Sequence, residues 1–232
     1  SVTMIWLFSV GLPINKPIGK TSFSLVSTLR RLTNIKTIGH AGTLDPFASG
    51  VMVLLIGKPY TRLSSSFLNQ DKQYLATLYL GITTDTYDLD GQITAHSPLI
   101  PTKSQIEKVL LEFQGTIQQI PPMFTAKKVQ GKKLYVLARK GITIPRSPIT
   151  ITIKVELISY IYPHIQLKVD CSKGTYIRSL THDIGTLLGS GAHLSELTRT
   201  KSGSFQLIHC CNGERLFEAG YNWSDYLQSN SL

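Results

Sequence analysis

The chain has 232 residues, 42% of them hydrophobic and 16% charged, and its 24 Lys and Arg outnumber 14 Asp and Glu to give a net charge of +10. This excludes a disordered chain and leaves room for one large domain with a packed core, or for two small ones. The basic excess draws the protein toward polyanions, either nucleic acid or an acidic membrane face.

The apolar stretch from Met4 to Ile14 lacks a basic leader, contains Gly11 and Pro13, and is too short to span a bilayer, so it reads as a strand entering the core. Apolar residues at 25, 26, 29 and 32 predict a helix over Ser22–Leu32, capped by Thr21 or Ser22. The run Val51–Ile56, closed by Gly57, predicts a buried strand, and the alternation over Gln73–Gly81 predicts another. Gln105–Phe113 has a helical pattern. Ile149–Tyr162 and Ile165–Cys171 are rich in β-branched residues and separated by Pro163-His164, the pattern of a hairpin. Thr175–Leu188 predicts a helix with Thr175 as its cap and Gly189 as its stop. Strands and helices mix without a βαβ rhythm, so the expected class is α+β, a mainly antiparallel mixed sheet with flanking helices.

Between Phe113 and Val155 there is no Asp or Glu, while Lys127, Lys128, Lys132, Lys133, Arg139, Lys140, Arg146 and Lys154 all fall there, with Phe124 and Tyr135 among them. A solvated helix face usually mixes charge signs. A segment of one sign is suited to lie along a phosphate backbone.

Several familiar motifs fail. Gly19-Lys20-Thr21 resembles the end of a phosphate-binding loop, but Ile14 stands where that loop needs glycine. Asp85, Asp88, Asp90 and Gly91 resemble a calcium loop, but its first and twelfth positions are Thr86 and Ser97. Cys171, Cys210 and Cys211 offer neither a disulfide framework nor metal-ligand spacing, and fit reduced thiols in a cytoplasmic protein. No metal and no cofactor is expected.

The segment Gly39-His40-Ala41-Gly42-Thr43-Leu44-Asp45-Pro46-Phe47-Ala48-Ser49-Gly50 places three glycines and a proline around one carboxylate. Glycines let a backbone approach a ligand closely, and Pro46 holds Asp45 out of helical geometry. On the residues alone, a structural turn and a catalytic loop both remain open.

The segment resembles the signature of the bacterial tRNA pseudouridine-55 synthase (TruB-type) family. Further blocks resemble that family in order: Lys72-Gln73-Tyr74; Gly81 through Thr84-Asp85-Thr86, Asp88 and Asp90-Gly91; Gln119-Ile120-Pro121-Pro122-Met123-Phe124 through Leu134-Tyr135; and Cys171-Ser172-Lys173-Gly174-Thr175-Tyr176-Ile177-Arg178-Ser179-Leu180. The matching blocks extend from about Lys16 to Gly203. The resemblance implies the pseudouridine synthase fold as a single catalytic domain over 1–232, with a basic RNA-binding thumb insertion at about 121–147. It implies isomerisation of uridine 55 in the tRNA T-loop by a cytoplasmic monomer whose partner is the T-arm, with no membrane partner.

It also implies roles. Asp45 is the nucleophile, Tyr74 stacks on the target uracil and handles the proton at C5, and Arg178 pairs with Asp45. His40 fills the space left by everted bases, Tyr176 and Leu197 line the pocket, and Asp88 contacts the substrate or orders the pocket. Lys127, Lys128, Lys132 and Lys133 hold RNA. The reaction breaks the N1–C1′ bond, turns the uracil and joins C5 to C1′, so no cofactor is required. Swinging the uridine out costs a few kcal/mol, of which stacking on Tyr74 recovers roughly 1–3 kcal/mol. A guide-RNA-dependent synthase and an RNA chaperone are the competing readings. The chain departs from the family in Asn15 before Lys16-Pro17, in Ser49, and in Pro13, which is expected to interrupt the first strand. Only about thirty residues follow Gly203, too few for the additional RNA-binding domain common in the family.

Overall fold

The computed structural model describes residues 10–57, 70–124, 128–129 and 132–228, and Lys127 and residues 4–9 lie outside the described residues. In chain order the elements are β1 (Val10–Lys16), α1 (Ser22–Thr33), β2 (Ile38–Ala41), β3 (Ser49–Ile56), β4 (Lys72–Leu80), β5 (Ile82–Thr84), β6 (Ile93–His96), α2 (Lys103–Leu110), β7 (Gly115–Gln119), β8 (Lys128–Val129), β9 (Lys132–Lys133), α3 (Leu134–Arg139), β10 (Ile149–Ile161), β11 (His164–Cys171), α4 (Ile177–Leu188), β12 (Ala192–Ser202), β13 (Phe205–Gln206) and β14 (Cys211–Asn212). The chain forms two compact units, Ser1–Tyr74 with Leu197–Leu232, and Leu75–Glu196.

The first unit is organised by β3, whose residues Val51 to Ile56 are at most 3% exposed. Burial on both faces explains why its sequence is a continuous apolar run rather than an alternation. β1 runs antiparallel beside β3 from Val10↔Ile56 to Lys16↔Gly50, and β2 is also antiparallel to β3. β12 is parallel to β3 at Thr198↔Ser49 and Arg199↔Gly50, and β14 is parallel to β1. Helix α1 buries Leu25, Val26 and Leu29, three of the four positions its period predicts, whereas Leu32 is half-buried. Thr21 Oγ1 accepts from Ser24 N, and Asn34, at φ 56°, ends the helix.

Pro13 does not interrupt β1, contrary to the sequence expectation. Gly11 exchanges backbone bonds with Gln228, and the Asn15 carbonyl accepts from Gly213 N, so these alternate residues turn away from β3. Pro13 lies between them in phase, and its missing N–H therefore costs the β1–β3 ladder nothing.

In the second unit the strand order is β4-β11-β10-β7. β10 and β11 form the expected hairpin, closed at Ile161↔His164 and bulged between Leu157 and Ser159. β10 alternates as an antiparallel strand should, with Ile151, Ile153 and Val155 buried and Thr150, Thr152 and Lys154 exposed. Helix α2 carries a full capping box between Thr102 and Gln105, and the predicted helix finishes as a 3-10 turn over Leu111–Phe113. Helix α4 ends at Gly189, φ 79°, as expected. Its start is different. Tyr176 is the N-cap and makes no side-chain capping bond, and the Thr175 hydroxyl, the expected cap, donates to Ser172 O at 2.8 Å. The thumb segment has its own small core of Met123, Leu134 and Leu137, against which Phe124, Ala138 and Ile144 pack. The class is α+β with a mixed, mostly antiparallel sheet.

A Cβ on Gly50, whose φ is +116°, would lie 2.2 Å from the Arg199 carbonyl oxygen and 2.7 Å from its nitrogen. A Cβ on Gly141, φ +70°, would meet nothing within 4 Å among the described residues. Gly50→Ala is therefore expected to lose about 3 kcal/mol or more in urea unfolding, and Gly141→Ala only about 1 kcal/mol.

Candidate functional site

Asp45 stands half-buried on a short turn of the first unit, with Ala48 N donating to its carbonyl at 2.9 Å. Both neighbours of Asp45 are fixed. Ser22, the buried first residue of α1, uses one hydroxyl to accept from Leu44 N at 3.1 Å and donate to Leu44 O at 3.3 Å. On the other side, the Pro46 carbonyl accepts from Gly19 N at 2.7 Å and from Lys16 Nζ at 3.3 Å.

Lys16 is fully buried, and its ammonium also donates to Pro17 O at 2.8 Å and Lys20 O at 2.7 Å. Burial pulls its pKa from 10.5 down to about 8, against the raising effect of the Asp45 charge. Arg199, 2% exposed, holds the opposite end of the loop: Nε donates to Val51 O at 2.8 Å, and the terminal nitrogens donate to Gly42 O at 3.0 Å and Thr43 O at 3.5 Å. The Asp45 loop thus hangs between two buried cations that bind its backbone carbonyls. His40, half-buried on β2, has its pKa lowered by burial and by the Arg199 charge, which keeps the ring neutral, and its Nδ1 is buried without a hydrogen-bond partner among the described residues. Tyr74 and Leu197 are buried at 8% and 7% exposure on β4 and β12. Next to them, Thr200 Oγ1 bonds Gln73 through both its backbone and its side-chain oxygen.

The second unit assembles Asp88, Tyr176 and Arg178. Asp88 is 5% exposed, and its Oδ1 accepts from Thr86 Oγ1 at 2.6 Å and from Asp90 N at 2.9 Å. Arg178, on the first turn of α4 and 8% exposed, donates to Thr86 O at 3.4 Å and to Phe124 O at 2.7 Å. Thr86 therefore links the carboxylate and the guanidinium. Tyr176 is set by Gln119, whose amide donates to Tyr176 O at 3.0 Å and accepts from Tyr176 N at 2.8 Å. Tyr87 takes a left-handed φ of 67° and stacks on His182 with ring centroids 4.0 Å apart. In the thumb, Lys133 is exposed, and both Lys133 Nζ and Arg139 lie over the Tyr135 ring, at 5.6 and 5.2 Å from its centroid. Lys128 and Lys132 lie on the β8–β9 pair.

Among the expected site residues, Asp45, His40, Tyr74 and Leu197 belong to the first unit, and Asp88, Tyr176, Arg178 and the thumb lysines to the second. Sequence reasoning missed Lys16, Arg199, Ser22 and Gln119 as the groups that position them. Lys16 was visible as part of Asn15-Lys16-Pro17, but its burial was not. Arg199 and Gln119 carry no local signal. Among the described residues, no group of three or more His, Cys, Asp or Glu could hold a metal ion, and no helix is long and apolar enough to cross a membrane. An open depression of about 330 Å³ over Thr77, Ile161, His164 and Glu196 is lined by none of the expected site residues.

Residues 30–177 match the family model described as TruB family pseudouridylate synthase (N terminal domain), and residues 178–232 match that of the tRNA pseudouridylate synthase B C-terminal domain. The chain is 60% identical over 203 residues to tRNA pseudouridine synthase B of Protochlamydia amoebophila, covering 88% of this chain and 78% of the relative. It is 54% identical over 215 residues to the protein of the same name from Chlamydia trachomatis serovar L2, covering 93% and 89%. Among solved structures it resembles a chain of a Cbf5-Nop10-Gar1 complex, with a TM-score of 0.74 and 28% identity over 99% of this chain. It also resembles a chain of an H/ACA RNP bound to a substrate RNA containing 2'-deoxyuridine, with a TM-score of 0.70 and 26% identity, again over 99% of this chain. The chain spans 62% and 61% of the length of those two solved chains.

Lys16 supplies a pH test of the loop. Between about pH 8 and pH 10.5 the folded protein has released a proton that the unfolded chain still holds, so stability rises with pH across that window. The unfolding free energy of the wild type relative to Lys16→Met is expected to climb there and to be flat below it. Asp45→Asn removes the charge that raises the Lys16 pKa, so the climb should begin at lower pH.

Proposed function

Because this chain belongs to the TruB family of pseudouridylate synthases, we propose that it isomerises uridine 55 in the T-loop of tRNA, with Asp45 as nucleophile. It is a tRNA pseudouridine synthase, an isomerase. The site of modification, the residue roles and the eversion of the base are the finer reading. The observation that carries it is the setting of Asp45: it is the single carboxylate in residues 1–70, and the residues before and after it are tied down by buried groups.

A nucleophile that must meet one atom of a detached ring gains from such rigidity, since misplacement of about 1 Å can cost a hundredfold in rate. In this reading the carboxylate attacks either the uracil ring or C1′. The N1–C1′ bond breaks, the uracil turns, and C5 joins C1′; the bond to the Asp45 carboxylate breaks to regenerate the acid, C5 releases its proton and N1 takes one up. Nothing is oxidised and no group is imported. Arg178 serves as the counter-ion that favours the ionised acid. Tyr74 supplies the stacking face, and neutral His40 occupies the space left by everted bases. Tyr176 and Leu197 line the pocket and Asp88 orders it. The lysines of the thumb, together with Arg139 and Lys133 around Tyr135, hold the phosphate backbone. The enzyme acts as a cytoplasmic monomer on the T-arm, without metal or cofactor.

Unmodified tRNA transcript, incubated with the protein and nothing else, should acquire pseudouridine at position 55. Asp45→Asn should lower the rate on the order of 10⁴-fold or more, the scale seen when a covalent nucleophile is removed. A wild type inactive on bare transcript, or an active Asp45→Asn, would sink the reading. The requirement for a guide RNA fails if bare transcript is modified. Changing Lys127, Lys128, Lys132 and Lys133 together to Ala should flatten the dependence of log affinity on log salt by up to about 3. An unchanged slope would remove the thumb as the backbone-binding element.

A further inference from the structure

We propose that the outward face of α1 is a second RNA-docking surface, one that holds phosphates and stacks an unpaired base of the tRNA segment adjoining the isomerised nucleotide. The inference rests on the reading of the chain as a tRNA synthase and adds to the thumb a surface in the first unit.

The charge pattern supplies the first observation. Residues 1–44 contain no Asp or Glu, and Asp45 is the first acid in the chain. Within that stretch lie Lys16, Lys20, Arg30, Arg31 and Lys36. Lys16 is spent on the Asp45 turn, whereas Lys20, Arg31 and Lys36 are exposed. A solvated helix face ordinarily mixes signs and pairs them at i,i+4. Here no acid within the stretch pairs with the cations, and Glu218, which follows Phe217, is bonded to Arg215 at 2.9 and 3.0 Å, so positive charge predominates over the helix and complements a phosphate backbone.

The second observation is geometric. At about 100° per residue, Phe23, Ser27, Arg30 and Arg31 occupy one arc of α1, opposite the buried Ser22, Leu25, Val26 and Leu29. Phe23 is 63% exposed with the Arg30 guanidinium 5.9 Å from its ring centroid, and Phe217 is 57% exposed with the Arg31 guanidinium at 5.0 Å. Two aromatic faces, each associated with a guanidinium, lie open to solvent. Bases stack on such rings and on guanidinium planes whatever their identity, while the cations hold the backbone.

The third observation is position. α1 is joined directly to the turn that carries Asp45, through the Ser22 hydroxyl on Leu44 and through Gly19 N on Pro46 O at 2.7 Å. RNA whose uridine reaches Asp45 therefore has neighbouring nucleotides within reach of α1. An acidic protein could satisfy the charge, but it would not use the two exposed aromatic rings.

The experiment measures equilibrium binding of unmodified tRNA transcript against salt for the full chain. The triple variant Lys20→Ala/Arg31→Ala/Lys36→Ala is compared with a control that removes three exposed or half-exposed charges elsewhere, Lys103→Ala/Lys108→Ala/Lys168→Ala. Thermal unfolding verifies that each variant is folded. The α1 variant should lose about 2–3 from the slope of log affinity against log salt, and the control should keep the wild-type slope. Phe23→Ala should weaken binding about tenfold with its slope unchanged, as loss of a stacked base requires. A wild-type slope in the α1 variant, or an equal fall in the control, overturns the proposal, and full affinity in Phe23→Ala overturns its stacking half. Pseudouridine mapping on the wild type reports separately on the catalytic reading, so failure of one is distinguishable from failure of the other.

Discussion

Everything around Asp45 depends on buried cations donating to backbone carbonyls. Lys16 and Arg199 each bury a full charge and satisfy it with three main-chain oxygens. Removing a charge from water is costly, and several oriented dipoles offset the cost only if they are held in place. The requirement works in both directions. The cations need the carbonyls of Gly42, Thr43, Pro46 and Val51 where they are, and the loop, lacking regular hydrogen bonding of its own, takes its shape from the cations. Asp45 itself is half-buried, and its backbone is anchored on either side.

The electrostatics of the chain follow a similar economy. Acids are missing from two long stretches, residues 1–44 and 113–155, and the cations of each lie against aromatic rings, Arg30 over Phe23 and Arg31 over Phe217 of the C-terminal segment for the first, and Lys133 and Arg139 over Tyr135 for the second. Excluding negative charge from a surface is a device for solubility near a polyanion and for steering it. It leaves the few carboxylates that remain, Asp45 and Asp88 above all, conspicuous against their surroundings.

Much of this was legible from residues in a row. The period of α1, the apolar run of β3 and the turn of the β10–β11 hairpin are local signals, and the structure follows them. The density of glycine around Asp45 marked the loop. What could not be read was set by partners far away in sequence. Arg199 sits in a strand where a cation normally turns to solvent, and only the parallel pairing of β12 with β3 buries it. Thr175 has the chemistry of a helix cap, but Ser172 O captured its hydroxyl, and the helix starts at Tyr176 under the control of Gln119. Pro13 warns of a broken strand, yet its phase relative to Gly11 and Asn15 makes it harmless.

The bare α-carbon of Gly50 has a broader meaning. Parallel strands carry no tight turn that dictates how they align, and β12 meets β3 over two residue pairs only. The gap left by the absent methyl is the notch into which the Arg199 main chain fits. Displacement of β12 by a single residue would bring Thr198 or Thr200 into that notch and swing the guanidinium to the opposite face of the sheet. Gly50 thus acts as an index mark, allowing one alignment in which the cation arrives beneath the acid's turn.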